Sequence, residues 1–90
     1  MSAFPTLFSP IRIGRLELRN RLVMAPMENC YATRDGMPSE RSKAYFEARA
    51  RGGVGLITLG ACSIDERHRE VLRTVDFGRD AVLDAHRELT

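Results

Sequence analysis

Two short apolar runs, separated by one helical segment, constrain the fold of this chain more than any other feature. The first run covers residues 22–25 and stops at Pro26, and the second covers residues 54–59 and stops at Gly60. Continuous apolar runs of this length predict strands that are buried on both faces. Such strands occur in parallel sheets covered by helices, so the chain is predicted to belong to the α/β class.

The segment between the two runs carries the start and stop signals of a helix. Ser39 is a good N-cap residue, and Gly52-Gly53 supplies a typical stop. The spacing predicts a helix of about twelve residues, with Glu47 and Arg51 as a favourable i,i+4 pair on its exposed side. This helix would join the two strands as a right-handed crossover. A second helix is predicted to begin near Asp80.

Residues 11–18 have the pattern of a β-hairpin. Apolar and polar residues alternate over residues 11–13 and again over residues 16–18, on either side of Gly14 and Arg15. This pattern predicts two antiparallel strands closed by a two-residue turn. An isolated hairpin is barely stable, so its apolar face is expected to lie on something larger.

Composition excludes several classes of function. The 14 Lys and Arg residues and 12 Asp and Glu residues are interspersed, which does not indicate binding to nucleic acid. No apolar run approaches the roughly 20 residues that cross a bilayer, and the N-terminus has no signal pattern, so a cytoplasmic location is expected. Cys30 and Cys62 form no metal-binding or redox motif, and both are interpreted as reduced packing residues. No metal site is predicted.

Two parallel strands alone do not make a closed fold. Either another chain completes the sheet, or the sequence is the beginning of an α/β barrel or of an open sheet. The chain also ends inside the helical pattern that starts near Asp80, which we interpret as truncation.

Chemistry in parallel α/β folds is found where the strands end at their carboxyl side. Here those ends are Pro26-Met27-Glu28 and Gly60-Ala61-Cys62. Small residues at such ends leave room for a flat ligand against the backbone, although small residues are also common there for packing reasons.

Several motifs resemble one known family. They are LFSPIRIG at residues 7–14, LELRNRLVMAPM at residues 16–27 and RARGGVGLI at residues 49–57, with Asp35-Gly36 and Tyr45 between them in the same order. Together they resemble the opening of the old yellow enzyme family of NADH:flavin oxidoreductases, over roughly residues 6–62. The details are most similar to its long branch, which includes 2,4-dienoyl-CoA reductases, enoate reductases and trimethylamine dehydrogenase.

The resemblance implies the N-terminal portion of a (β/α)8 TIM barrel preceded by a β-hairpin lid. Residues 1–90 would form an incomplete part of one FMN-binding domain, with the hairpin at 11–18 and the first two βα units at 22–90. If the long-branch assignment holds, an iron–sulfur cluster and a second domain would lie further along the protein.

The resemblance also implies cofactor-binding positions. Pro26, Met27 and Glu28 match the segment that lines an edge of the FMN ring, and Ala61 matches the small residue that lets the ring approach. Glu28 departs from the small or neutral residues usual there. Either its carboxylate points away and only its backbone contacts FMN, or the charge beside the ring lowers the flavin potential; burial of an unpaired charge disfavours the second alternative.

By resemblance, the whole enzyme would pass hydride from NADH or NADPH through FMN to an activated α,β-unsaturated alkene, an enone or an enoyl thioester, and a homo-oligomer is compatible with this. The catalytic residues lie later in such barrels, so the 90 residues alone are expected to be inactive. A non-catalytic half-barrel that assembles with a partner chain is the alternative. Tyr31 would border the substrate or pack its loop, and His68 and His86 are assigned to surface or packing roles.

Overall fold

The computed structural model describes residues 3–65, 67 and 73–90. The elements follow in the order β1 (Ile11–Ile13), β2 (Leu16–Leu18), β3 (Val23–Met24), α1 (Glu40–Arg51), β4 (Leu56–Ile57), β5 (Cys62–Ser63), β6 (Val75–Asp76) and α2 (Leu83–Leu89). A 3₁₀ turn at Asp80–Val82 leads into α2. The strands of the described residues form three two-stranded sheets, β1-β2, β3-β4 and β5-β6.

The predicted hairpin is present. Strands β1 and β2 pair antiparallel, with Ile11 opposite Leu18 and Ile13 opposite Leu16. Gly14 takes a φ of 60° in the two-residue turn, which glycine adopts without strain. Leu18 is buried, whereas Ile13 and Leu16 stay exposed, so the described residues cover only part of the apolar surface of the hairpin.

The predicted parallel pair is also present. Val23 pairs with Leu56 and Met24 with Ile57. The buried Asn20 fixes the start of both strands, because its Nδ2 donates to the Gly53 carbonyl at 2.6 Å and its Oδ1 accepts from the Leu22 amide at 3.0 Å.

The extent and burial predicted for these strands were wrong. Each has two residues rather than the four and six of the apolar runs, and Val23 is 55% exposed. Among the described residues, β3 and β4 pair only with each other, so the outer edge of each strand has no neighbouring strand there.

Helix α1 is confirmed with its signals. The Ser39 hydroxyl accepts from the Ser42 amide at 3.1 Å, and Gly52 caps the C-terminus by donating to the Ala48 carbonyl at 3.0 Å. The predicted ion pair forms, with Glu47 and Arg51 atoms 2.6 Å apart. The α1 crossover therefore brings β3 and β4 side by side with both carboxyl ends at one edge.

The helical segment begins at Asp80, as predicted, but its first three residues form a 3₁₀ turn and α2 begins at Leu83. Val82 is 1% exposed, and the buried His86 ring stacks on Phe77 with the centroids 3.9 Å apart, which confirms a packing role for His86. Val82 takes the inward position at the end of the 3₁₀ turn, and the next residue, Leu83, is 49% exposed. His68, given a surface or packing role, lies outside the described residues.

The pair β5-β6 is the main feature that the sequence did not predict. Cys62 pairs with Val75 and Ser63 with Asp76, in parallel. This pair brings the segment before α2 against the end of β4.

Among the described helices, none is long and apolar enough to cross a membrane.

Candidate functional site

The tips after β3 and β4 meet through their backbones. A Cβ atom placed on Gly60 would lie 2.1 Å from the Met27 carbonyl oxygen and 3.0 Å from the Glu28 amide nitrogen. Real Cβ atoms do not approach other atoms so closely, so only glycine allows this contact. The residues predicted to share one site, Met27 and Glu28 on one tip and Ala61 on the other, are therefore brought to the same edge of the sheet.

The cavity that both tips border is small. It has a volume of about 20 Å³, enough for about one water molecule, and is bounded by Met27, Glu28, Gly60, Ala61 and Cys62 among others. A planar ring has no room inside it. The outer surface is open instead, because Pro26 and Ala61 are exposed and Met27 is 70% exposed. A flat ligand would lie over the tips rather than between them.

The Glu28 carboxylate is held by its own loop and by the segment before β6. Its Oε1 accepts from the Cys30 amide at 2.8 Å, and its Oε2 accepts from the Thr74 hydroxyl at 3.0 Å. Both oxygens of the carboxylate therefore have a donor within the protein. Loop 28–38 and the β6 segment are joined at the residue that follows Met27.

Further hydrogen bonds join the same two segments along their length. The Ala32 amide donates to the Arg73 carbonyl at 3.3 Å, and the Asp76 amide donates to the Gly36 carbonyl at 2.8 Å. Arg79 donates to the Asp35 carbonyl. Loop 28–38 is thus fixed at its start, middle and end.

Asp76 is the centre of a buried polar cluster that no pattern in the sequence predicted. Its side chain is fully buried, and it accepts from the Gly78 amide at 2.7 Å, the Arg79 guanidinium at 2.8 Å and the Ser63 hydroxyl at 3.3 Å. The Gly78 hydrogen bond first, and then the bonds from Arg79 and Ser63, lower the pKa of the Asp76 carboxyl, against the opposing effect of burial. The carboxyl is therefore ionised at neutral pH and suits a structural role.

The Cys62 thiol does not have the environment of a nucleophile. Burial, and second the charge of Glu28, raises the pKa of the half-buried Cys62 thiol. Cys30 is exposed, so its predicted packing role was wrong; its φ of 58° turns the chain there and leaves the side chain at the surface. Among the described residues, no group of His, Cys, Asp or Glu could hold a metal ion.

Tyr31 packs onto α1. Its ring makes an edge contact with Tyr45, with centroids 5.5 Å apart, and the Arg41 guanidinium lies 4.0 Å over its face. Of the two roles open for Tyr31, packing of the loop is the one seen in these contacts.

The comparisons with known proteins agree with the motifs. Residues 6–90 match the model of the NADH:flavin oxidoreductase / NADH oxidase family. An NADH oxidase of Thermoanaerobacter brockii is 54% identical over 65 residues, which are 72% of this chain and 10% of that protein. A cinnamate reductase of Clostridium sporogenes is 38% identical over 63 residues, which are 69% of this chain and 10% of that protein.

Solved structures extend the likeness to the fold. The old yellow enzyme from Trypanosoma cruzi superposes with a TM-score of 0.86 and 36% identity, over 98% of this chain and 23% of that protein. The chain belongs to the NADH:flavin oxidoreductase family, so the predicted resemblance is confirmed. It spans about 10% of the length of the curated relatives named above.

Proposed function

We propose that this chain supplies one edge of the flavin site in an FMN-dependent oxidoreductase that passes hydride from NADH or NADPH to an activated, α,β-unsaturated alkene. The observation that carries the proposal is the contact of the two strand tips at Gly60 and Met27. It places Pro26, Met27, Glu28 and Ala61 at one open edge of a parallel sheet, within a chain that belongs to this family.

The residues at the tips fit a planar ring. Ala61 is small and exposed, and Met27 offers a polarisable side chain at the surface. Peptide groups at fixed strand ends can hydrogen-bond the edge of a heterocycle without reorganisation. FMN, when bound, supplies the hydride chemistry, and the part of this chain is to hold and orient the ring.

The contacts of Glu28 support a backbone role for this residue. Its two carboxylate oxygens accept from Cys30 and Thr74. A carboxylate held in this way does not need to point at the ring, and its peptide group stays beside Met27. The first alternative of the sequence analysis, a side chain turned away from the flavin, is the one we propose.

The wider architecture is proposed on the same basis. Residues 22–90 would form the first two βα units of a (β/α)8 barrel, with the hairpin at 11–18 as a lid on the amino-terminal side. The small share of the NADH oxidase that the chain covers is compatible with the long branch, and so with an iron–sulfur cluster elsewhere in the protein. Cytoplasmic location and homo-oligomerisation stay predictions from the sequence.

The experiment that tests the function uses the full-length protein. We expect purified protein to carry FMN released by heat denaturation, to be bleached by NADH or NADPH under anaerobic conditions, and to regain its absorbance when an enone is added. A protein without flavin, or one whose reduced flavin is not reoxidised by any enone or enoyl thioester tested, would contradict the proposal. A flavin-free protein that binds a partner chain would favour the half-barrel module.

Replacement of Glu28 tests where its charge lies. We expect Glu28→Gln to change the flavin midpoint potential by less than about 30 mV, or about 1.4 kcal/mol for two electrons, because the charge removed is turned toward Thr74. Potentials would be measured by redox titration with a reference dye. Glu47→Gln, on the exposed side of α1, is the control. A rise well above this value for Glu28→Gln alone would show that the carboxylate acts directly on the ring.

A further inference from the structure

A concave surface on loop 28–38, separate from the strand tips, is lined by basic side chains. It has a volume of about 340 Å³, and every charged residue among its described lining residues is an arginine: Arg34, Arg41 and Arg73. We name it the arginine pocket. Three guanidinium groups around one concavity produce a positive potential that attracts anions.

The three arginines come from different parts of the chain. Arg34 lies on the loop, Arg41 in the first turn of α1, and Arg73 just before β6. Their convergence depends on the hydrogen bonds that hold the loop against the β6 segment, among them the bond from Ala32 to the Arg73 carbonyl. The pocket is therefore a product of tertiary structure rather than a run of charge in the sequence.

Two of these guanidinium groups are held in place by neutral partners. Arg41 lies over the Tyr31 ring, and an Arg73 Nη1 atom is 3.4 Å from the Ala32 carbonyl oxygen. Within the part of the chain that the structure describes, neither forms an ion pair with a carboxylate. Arginines oriented in this way keep their charge and N–H donors for a ligand, and planar guanidinium groups suit carboxylate and phosphate oxygens.

We propose that the arginine pocket binds an anionic group, a carboxylate or a phosphate, of a molecule that reacts at the flavin. The pocket includes Cys30, three residues beyond Met27 on the loop that leaves the flavin edge, so a reactant lying over the tips could extend an anionic end into it. The identification of the anion as part of a reactant rests on the proposed function, whereas the pocket itself does not. The anion belongs either to the alkene substrate or to the nicotinamide.

The first test measures the pocket without any catalysis. Cys30 lines the pocket and is exposed, so its alkylation reports the local potential. The quantity measured is the rate of Cys30 alkylation by iodoacetate, an anion, divided by the rate with neutral iodoacetamide. We expect this ratio to be several-fold higher in the wild-type full-length protein than in the Arg41→Gln/Arg73→Gln double variant. The Cys30 peptide would be followed by mass spectrometry. Inorganic phosphate should slow the alkylation of Cys30 by iodoacetate in the wild type and leave the rate in the double variant unchanged.

Arg49→Gln is the matched control. Arg49 lies 3.7 Å over the Tyr45 ring, as Arg41 does over Tyr31, but is not part of the pocket. This variant should therefore keep the wild-type reagent preference. Equal preferences in the wild type and the double variant, or an equal loss in Arg49→Gln, would overturn the pocket.

The second test identifies the source of the anion. If the substrate supplies it, the double variant should raise the KM for an unsaturated acid by about 10- to 100-fold and leave that for its methyl ester unchanged. If the nicotinamide supplies it, the KM for NADPH or NADH should rise while both alkenes behave alike. If the KM values for the acid, its methyl ester, NADH and NADPH were all unchanged, the proposal that the anion belongs to a reactant would be overturned. Absence of flavin chemistry in the wild type would instead overturn the proposed function, and the alkylation result would still decide the pocket.

Discussion

Gly60→Ala is expected to weaken FMN binding by about 100-fold. The added Cβ would lie 2.1 Å from the Met27 carbonyl oxygen and 2.5 Å from its carbon, so the backbone of one tip must move away from the other. Overpacking of this kind costs up to about 3 kcal/mol, which corresponds to roughly a hundredfold change in an equilibrium constant. Titration of the apoprotein of the full-length enzyme with FMN, followed by flavin fluorescence, would measure the loss.

Two further variants separate a loss of the site from a loss of the fold. Gly52→Ala adds the same methyl group where the nearest atoms are 3.4 Å away and φ is −67°, so it should bind FMN like the wild type. Ala61→Val enlarges an exposed residue at the tip and should weaken FMN binding without lowering the melting temperature. If both Gly60→Ala and Ala61→Val bound FMN as tightly as the wild type does, the flavin would not lie at this edge.

Local signals in the sequence predicted the elements that short-range physics determines. Ser39 and the Gly52-Gly53 pair marked the ends of α1, because a hydroxyl acceptor and a glycine that can take a positive φ, here Gly53 at 109°, act within one turn of the helix. Gly14 marked the hairpin turn for the same reason. The meeting of the two tips also followed from the sequence, since a helical crossover between parallel strands brings their carboxyl ends to one edge.

The second parallel pair could not be predicted in this way. Strands β5 and β6 have two residues each, which is too short for any periodicity, and Cys62 and Val75 pair across a separation of 13 positions. Charged residues are usually exposed, so Asp76 gave no indication of burial. The one usable signal was Asp76 followed by Gly78 and Arg79, since an aspartate often accepts from the amide two residues later.

The arginine pocket was hidden for a related reason. Arg34, Arg41 and Arg73 are interspersed with other residues over 40 positions, and in the sequence they belong to a solvated, mixed-charge pattern. They come together only because hydrogen bonds join loop 28–38 to the β6 segment. We call this line of contact the seam. Both the pocket and the position of Glu28 therefore depend on the residues that hold this seam.

Asp76→Ala is expected to lower the free energy of unfolding by about 3 kcal/mol, because it leaves Arg79 without its buried partner and removes the acceptor of the Gly78 amide. Asp84→Ala is the control: Asp84 also pairs with an arginine at i+3, 3.2 Å away, but at an exposed position where such pairs contribute little. Denaturant unfolding of the full-length protein would compare the two variants. Equal stabilities would contradict the assigned role of Asp76.

The same aspartate should make the seam sensitive to acid. Its pKa is lowered in the folded protein, so the unfolded chain binds the proton more readily, and the stability that Asp76 contributes is complete above its ordinary pKa of 3.8. That contribution is lost as the pH falls below 3.8 through the folded value. We therefore expect the stability difference between wild type and Asp76→Ala to shrink below about pH 4. The Asp76 side chain holds Arg79, which donates to the Asp35 carbonyl, and the backbone amide of residue 76 donates to the Gly36 carbonyl. Amide hydrogen exchange at Gly36 should therefore be faster in Asp76→Ala than in the wild type at neutral pH. Equal exchange rates would show that loop 28–38 does not depend on the Asp76 cluster.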